Sequence, residues 1–334
     1  MKTLLVLVFF FCETSLLFAQ QESRYDRLRL ENETMQIVSD ELTEPVWKSV
    51  REHFQDGIVI GGEKFHTVES IENFKDVYFD TPDHVLLKQW GGLRHRERIG
   101  EGGEFKELVQ MKLTPNLQSD PTDQTRSELK FEVEKDLTDV RNADDTNELL
   151  HVVKRPLRSK LKKRLVELGV EPLKLRRFLI ITQERRRVYF RQGEKQVFTI
   201  TLDIARCSKL WFKAAYSQLE VEIGENAFTA GDEVKRAHYS AIQAEIYRQI
   251  AELFPNLPKD QAPKVVKMYG LLTSQGTVAK WIVDNGEGGA FCVLLSVFLI
   301  SIFLIPAIIR GVRTVVHSHI GKGAKYTGSS SATI

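Results

Sequence analysis

Cysteine is almost missing from these 334 residues: three occur, Cys12, Cys207 and Cys292. Cys12 falls in an apolar N-terminal stretch and Cys292 in an apolar C-terminal one. That leaves Cys207 alone between them, so the intervening domain has no internal disulfide and must be held by its core. Glycine and proline, at 21 and 10, are too few for a collagenous or low-complexity chain. Neither charge sign is in real excess, since 47 basic against 45 acidic residues leave a net charge of +2. That balance by itself says nothing about partners; no nucleic acid is expected as one. Long apolar runs are confined to the two ends.

The first twenty residues, MKTLLVLVFFFCETSLLFAQ, carry Lys2, an apolar stretch from Leu4 to Phe11 and a small residue, Ala19, before Gln20. This layout predicts a signal peptide, and Glu13 argues against a stable membrane span. Ala290 to Ile309 is an uncharged run of twenty residues, about 30 Å as a helix and enough to cross a bilayer. Arg310, Arg313, Lys322 and Lys325 follow it, while Asp284 and Glu287 precede it. Positive charge on the C-terminal side predicts a cytoplasmic tail at 310–334. The expectation is a single-pass membrane protein with its N-terminal domain extracytoplasmic and a tether at 273–289. Asn32-Glu33-Thr34 is a glycosylation acceptor in form, but it falls within a predicted strand.

Between the ends, no repeat or linker divides the chain. Strand-like runs recur as RLRLENETMQIV, DVYFDTP, GLRHRER, ELVQMKLTP, RSELKFEVE, RFLIITQERRRVYFR, QVFTITLDIAR and SQLEVEI. Helices are predicted from Glu44-Pro45 onward with Val46, Trp47, Val50 and Phe54 on one face, and over a basic region from Thr146 to Leu168. A further helix spans Asp232 to Phe254, where Ile242, Ile246 and Ile250 recur at helical spacing, and a short element covers Lys264 to Leu272. About eight strands in hairpin order, with helices inserted, predict an α+β fold: an eight-stranded antiparallel barrel with flanking helices, plus one C-terminal transmembrane helix.

Charge lies inside the strands on alternating residues: Glu31 and Glu33, Arg94 and Arg96, Glu132 and Glu134, Glu220 and Glu222. Such spacing puts both members on one face. Each pair alone fits a solvated face; four together also fit a barrel with a polar interior around one ligand. Converging carboxylates favour a hard cation such as Mg²⁺ or Mn²⁺. Arginine forks and lysines favour phosphate oxygens. A metal-bound polyphosphate satisfies both sets, and phosphoryl transfer to water is the chemistry such a site performs.

The stretch VYFDTPDHVLLKQWGGLRHRE, Val77 to Glu97, resembles the YFDTP…LRxR signature of the CYTH superfamily, the triphosphate tunnel metalloenzymes. VQMKLTP, QERRRVYF, the pairing of LDIA with QLEVEI, and KVVKMYGLL follow in the family's order, so the resemblance covers Arg27 to Leu272. It implies an eight-stranded tunnel that binds triphosphate with divalent metal. On it, Glu31, Glu33, Asp203, Glu220 and Glu222 would be metal-side acids. Arg94, Arg96, Lys112, Arg186 and Lys267 would hold phosphate, with Arg185 and Arg187 pointing outward. Tyr78 and Phe79 would pack, and Asp80-Thr81-Pro82 would turn.

Two departures stand out. The family's opening ExExK places a lysine where this chain has Met35, and a thioether cannot do an ammonium's work. Either the first strand has another register or turnover is weakened, with Arg27 and Arg29 as candidates to substitute. The insertion CSKLWFKAAYS also lengthens the connection from Asp203 to Glu220. The implied activity is metal-dependent hydrolysis of inorganic or organic triphosphate. The alternative is a non-catalytic polyphosphate or anion-binding membrane receptor; an adhesive ectodomain would leave the charged strands unexplained.

Overall fold

The computed structural model describes residues 29–114, 124–134, 147–224, 227, 232–285, 302 and 308; for 29–32 and 124–126 it describes the backbone only. The predicted leader at 1–20 lies outside these residues, and so does the apolar run at 290–309 apart from Ile302 and Ile308. Among the described residues no helix is long and apolar enough to cross a membrane. By compactness the chain divides into two units, Met1–Asp284 and Asn285–Ile334. The first unit holds every strand described below.

Its sheet is antiparallel throughout and contains β1 (Arg29–Val38), β4 (His66–Asp80), β5 (Gly92–Ile99), β6 (Phe105–Leu113) and β7 (Gln124–Phe131). The chain then adds β8 (Arg176–Gln192), β9 (Lys195–Lys209), β10 (Phe212–Ile223) and a two-residue β11 (Lys259–Asp260). The order is β10-β9-β8-β4-β5-β6-β7-β1-β11, and β2 (Val59–Ile60) with β3 (Glu63–Lys64) forms a separate small hairpin. β1 joins the two ends of this order. Its first half, Arg29 to Glu33, pairs with β7 and its second half, Glu33 to Val38, with β10. The eight long strands therefore curl around an interior, but the seam is staggered and closure does not run the length of β1. The expected barrel is thus a curled sheet with a ninth, short strand.

The alternation of the strands is inverted relative to a soluble barrel with an apolar centre. Val77, Phe79, Leu93, Val109, Met111, Leu129 and Phe131 point outward into a cluster with Leu149, Leu150, Leu161 and Leu165. Those leucines belong to α3 (Glu148–Val152) and α4 (Arg155–Glu167), the two helices that make up the expected basic helical region. On the opposite wall Val188, Phe190, Ile200, Leu202, Leu219 and Val221 meet α1 (Asp40–His53) and α5 (Glu233–Leu253). The helices contribute Val46, Trp47, Val50 and Phe54, and Ile242, Ile246 and Ile250, as their periodicity predicts. α1 begins at Asp40, earlier than the Glu44-Pro45 start expected, so Pro45 lies within it. With both apolar layers outside, the interior is left for polar groups.

A third cluster sits under α6 (Lys264–Thr273), where Val265, Met268 and Leu272 pack on Tyr78, Phe178, Ile181, Ala205 and Tyr216. The predicted tether is not extended at its start: residues 277–285 are helical and bury Ala279, Ile282 and Val283. The Asp80-Thr81-Pro82 turn has a specific task. The buried Asp80 carboxylate accepts from the backbone N–H groups of Thr81 at 2.8 Å, Leu86 at 3.0 Å and Leu87 at 2.9 Å. It fixes the single turn α2 (Val85–Lys88) and the path into β5.

Removing that acceptor leaves buried donors unsatisfied, at about 1–3 kcal/mol. Asp80→Ala should lower the midpoint of thermal unfolding by several degrees, and Asp80→Asn, which keeps one acceptor oxygen, by less. Equal melting of wild type and Asp80→Ala would show that the turn holds without this carboxylate.

Candidate functional site

Inside the curl lies a cavity of about 240 Å³, far above the roughly 10–15 Å³ that one water needs. Its walls follow from strand alternation. β5 turns Arg94, Arg96 and Arg98 inward, β6 Lys106 and Lys112, β7 Lys130 and β8 Arg185 and Arg187. Lys264 enters from the start of α6. Among the described lining residues, these nine cations face four glutamates: Glu128 on β7, Glu33 on β1, and Glu220 and Glu222 on β10. The excess of positive charge suits a polyanion.

Arg94 and Arg96 are where the sequence predicts, but they are not bare. Arg96 places Nε and Nη2 on the two oxygens of Asp76 at 2.6 and 2.7 Å. Arg94 reaches Asp76 at 3.0 Å, the Tyr78 hydroxyl at 2.9 Å and Gln110 at 2.7 Å. Gln183 donates to the same carboxylate. Burial would push the Asp76 carboxyl up, yet the neighbouring Arg94 and Arg96 outweigh it and hold it below the usual range. For Arg96, burial and then the like charge of Arg94 pull the guanidinium down. The ring of Phe74 lies 4.4 Å from the Arg96 guanidinium and 5.1 Å from that of Arg185, a cation–π spacer between two basic strands.

A second buried aspartate organises the other side. Asp203 takes the Nε and Nη2 of Arg185 at 2.5 and 2.6 Å and is also paired with Lys264. Burial opposes its ionisation, but Arg185 and Lys264 depress the carboxyl far below its ordinary value. Glu220 accepts from Lys264 at 2.8 Å and lies 3.8 Å from Arg185. Glu33 and Glu222 are direct cross-strand partners of β1 and β10, and both line the cavity. Lys112 stands 4.0 Å from Glu128, whose other oxygen is 2.6 Å from Lys130.

Several expectations are corrected. Arg186 points away from the cavity, to Glu44 at 2.7 Å and Glu184 at 2.7 Å, while Arg185 and Arg187 point in. The parity is reversed because Val188 and Phe190, on the same face as Arg186, belong to the outer apolar layer. Lys267 does not line the cavity either: it pairs with Asp260 and lies 4.5 Å from the Tyr216 ring, and Lys264, one turn earlier, takes the inward place. Asp203 lies on the inward face of β9, where it pairs with Arg185 and Lys264, both of which line the cavity. Glu132 and Glu134 lie on a solvated face, 3.0 Å from Lys154 and 3.8 Å from Arg158. The side chains of Glu31 and Arg29, and all of Arg27, lie outside the described residues. Met35 occupies the interior row with Glu33, opposite Glu220.

Asp76, Glu128, Phe74 and Glu72 were not singled out from the sequence. Asp76 alternates with Phe74 and Tyr78 in β4, directly before the YFDTP run, so period-two reading extended backward finds it. Glu72, two residues before Phe74, is buried against Arg98 and Arg187.

The family's divalent metal can be tested against these donors. Among the described residues no three His, Cys, Asp or Glu side chains form a ready-made metal cage. Mg²⁺ needs none, since it keeps several waters and takes one or two carboxylates together with substrate phosphates. Glu33 and Glu222, paired across the β1–β10 seam on the cavity wall, have that chemistry.

A group whose folded pKa is depressed stabilises the fold above its unfolded pKa, near 3.9 for aspartate, and loses that contribution as pH falls through the folded value. Breaking a buried ion pair costs about 3–5 kcal/mol. Asp76→Asn should therefore melt lower than wild type at pH 7, on the order of 10 °C, and the gap should narrow below about pH 4. Melting curves from pH 7 to 3 check this, and a gap independent of pH would mean that Asp76 is not the charged anchor.

A family model described as the CYTH domain matches residues 50–248, more than half of the chain. No curated protein matches in sequence. Similar solved structures include PH1819 from Pyrococcus horikoshii OT3, at 17% identity with a TM-score of 0.39, covering 71% of this chain and 96% of that one. The Hippeastrum protein HpAC1, described with a dominant triphosphatase activity, is 14% identical with a TM-score of 0.42, covering 72% and 94%. The Mimivirus capping enzyme triphosphatase is 10% identical with a TM-score of 0.34, covering 70% and 93%. On the family match, which takes in every long strand except β1, the chain belongs to the CYTH domain family.

Proposed function

We propose that the cavity binds a linear triphosphate, inorganic or carried on an organic group, as its Mg²⁺ or Mn²⁺ complex and hydrolyses it. The observation that carries this reading is the sorting of charge: cations on β5, β6 and β8, acids at the β1–β10 seam. A divalent ion held by Glu33 and Glu222 would neutralise phosphate charge and lower the pKa of a bound water. Arg94 and Arg96, oriented by Asp76, present guanidinium edges to phosphate oxygens. Arg185 and Arg187 do so from the facing strand, and Lys112 and Lys106 extend the wall along β6. Fixed donors of this kind stabilise charge that develops on the leaving phosphate without reorganising.

Met35 favours a second reading, a polyphosphate receptor without turnover, because the interior position beside Glu33 carries no charge. The sequence at 1–20 and 290–309 supports placing the domain outside a membrane, on a single C-terminal span with a cytoplasmic tail.

Phosphate release from tripolyphosphate with Mg²⁺ or Mn²⁺, measured beside a calorimetric titration, separates the two readings. Release that stops on chelation supports the hydrolase; tight binding with no release supports the receptor; neither one nor the other sinks both.

The corrected arginine parity gives a sharper outcome. Arg187→Ala should weaken tripolyphosphate binding about tenfold or more, the scale of one charge-assisted bond. Arg186→Ala, on the outer face, should leave it within about twofold. The opposite ranking in the titration would return Arg186 to the phosphate wall.

A further inference from the structure

Position 35 is uncharged in a charged row, yet the acids beside it have an ammonium. Met35 is buried, opposite Glu220, and belongs to none of the three apolar clusters. Its Sδ instead accepts from the Gln218 amide at 2.6 Å. A thioether is a weak acceptor and carries no charge, so it does nothing for the carboxylates around it. Glu220 receives its hydrogen bond from Lys264 Nζ at 2.8 Å, and the same nitrogen is paired with Asp203.

Lys264 is the first residue of α6, following Pro263 as N-cap. A cation there opposes the helix dipole, which favours acids at this end. Its position is therefore not explained by the helix it begins. It is explained by the acids it reaches, and by α6 itself being fixed through Val265, Met268 and Leu272 in the third apolar cluster. The family match starts at residue 50 and ends at residue 248. Both β1, which carries Met35, and α6, which carries Lys264, lie outside it.

We propose that Lys264 is the relocated counterpart of the charge that position 35 lacks: α6 brings to Glu220 and Asp203 the ammonium that β1 does not supply. Lys264 then acts as a positioning residue. It keeps Glu220 and Asp203 together despite their repulsion and leaves Glu33 and Glu222 across the seam. In its role during turnover the inference rests on the triphosphatase reading; in its charge balance it does not. One ammonium suffices, so lysines at 35 and 264 should be alternatives and not additive partners.

A cycle of four full-length proteins tests this: wild type, Lys264→Met, Met35→Lys and the double variant. Lys264→Met should lower the melting midpoint on the order of 10 °C, because two buried carboxylates lose a shared cation. Met35→Lys should restore at least half of that loss in the Lys264→Met background. In the wild-type background it should give no gain, since a second ammonium meets the first. A double variant that melts no higher than Lys264→Met, or shows only the sum of the single effects, overturns the proposal. Where phosphate release is measurable, Lys264→Met should lose about a hundredfold in rate, and the double variant should regain at least a tenth of wild-type turnover. A helix that merely needs Lys264 for packing would not be rescued from β1. If wild type releases no phosphate, the hydrolase reading fails while the melting cycle still decides for or against Lys264.

Discussion

Asp76 and Asp203 have no exposed surface, and the basic interior is arranged around them. A carboxylate without water is costly unless its oxygens are fully engaged. Each aspartate therefore holds two cations, Asp76 with Arg94 and Arg96, Asp203 with Arg185 and Lys264. Around Asp76 two cations on one anion leave a net positive group, while around Asp203 the same two cations also meet Glu220 and the charges balance. The forks are aimed, their repulsion is reduced, and the wall still presents positive charge to a ligand. Neither aspartate has to touch that ligand to determine where it binds.

This arrangement places two of the domain's apolar clusters outside the cavity. The apolar layers lie between the sheet and the surrounding helices, with α1 and α5 on one wall and α3 and α4 on the other. Substitutions that retune the interior charge need not disturb those layers, and the reverse also holds. α6 is the exception, since its apolar face packs while its first residue reaches the acids.

Much of this was readable from residues. Period-two spacing found Arg94, Arg96, Glu33, Glu220 and Glu222 on interior faces, and period 3.6 found the buried isoleucines of α5. Where the reading failed, the cause was parity or reach. In RRRVYF the apolar Val188 and Phe190 define the outer face, so Arg186 goes with them; choosing Arg186 by the resemblance, from its distance to Tyr189, overlooked that face. Lys264 and Lys267 differ by one helical turn, and only the placement of α6 on the sheet decides which nitrogen enters. Asp203 entered as a metal-side acid through the resemblance alone, and its pairing with cations from β8 and α6, distant in sequence, was not legible in the strand pattern.

The alternation in the strands also works like a reading frame. The long strands interleave two messages, one apolar and outward, one largely polar and inward, with the inner row turning apolar under α6 at Ile181, Ala205 and Tyr216. Slipping β8 by one residue would send Arg185 and Arg187 into the layer that holds Val188 and Phe190, and bring those two into the cavity. Every strand of the sheet carries the same penalty against a frameshift of its pairing. A change of chain length inside a long strand meets that penalty and one in a turn does not; between β9 and β10, whose pairing continues to Lys209 and Phe212, Leu210 and Trp211 form such a turn.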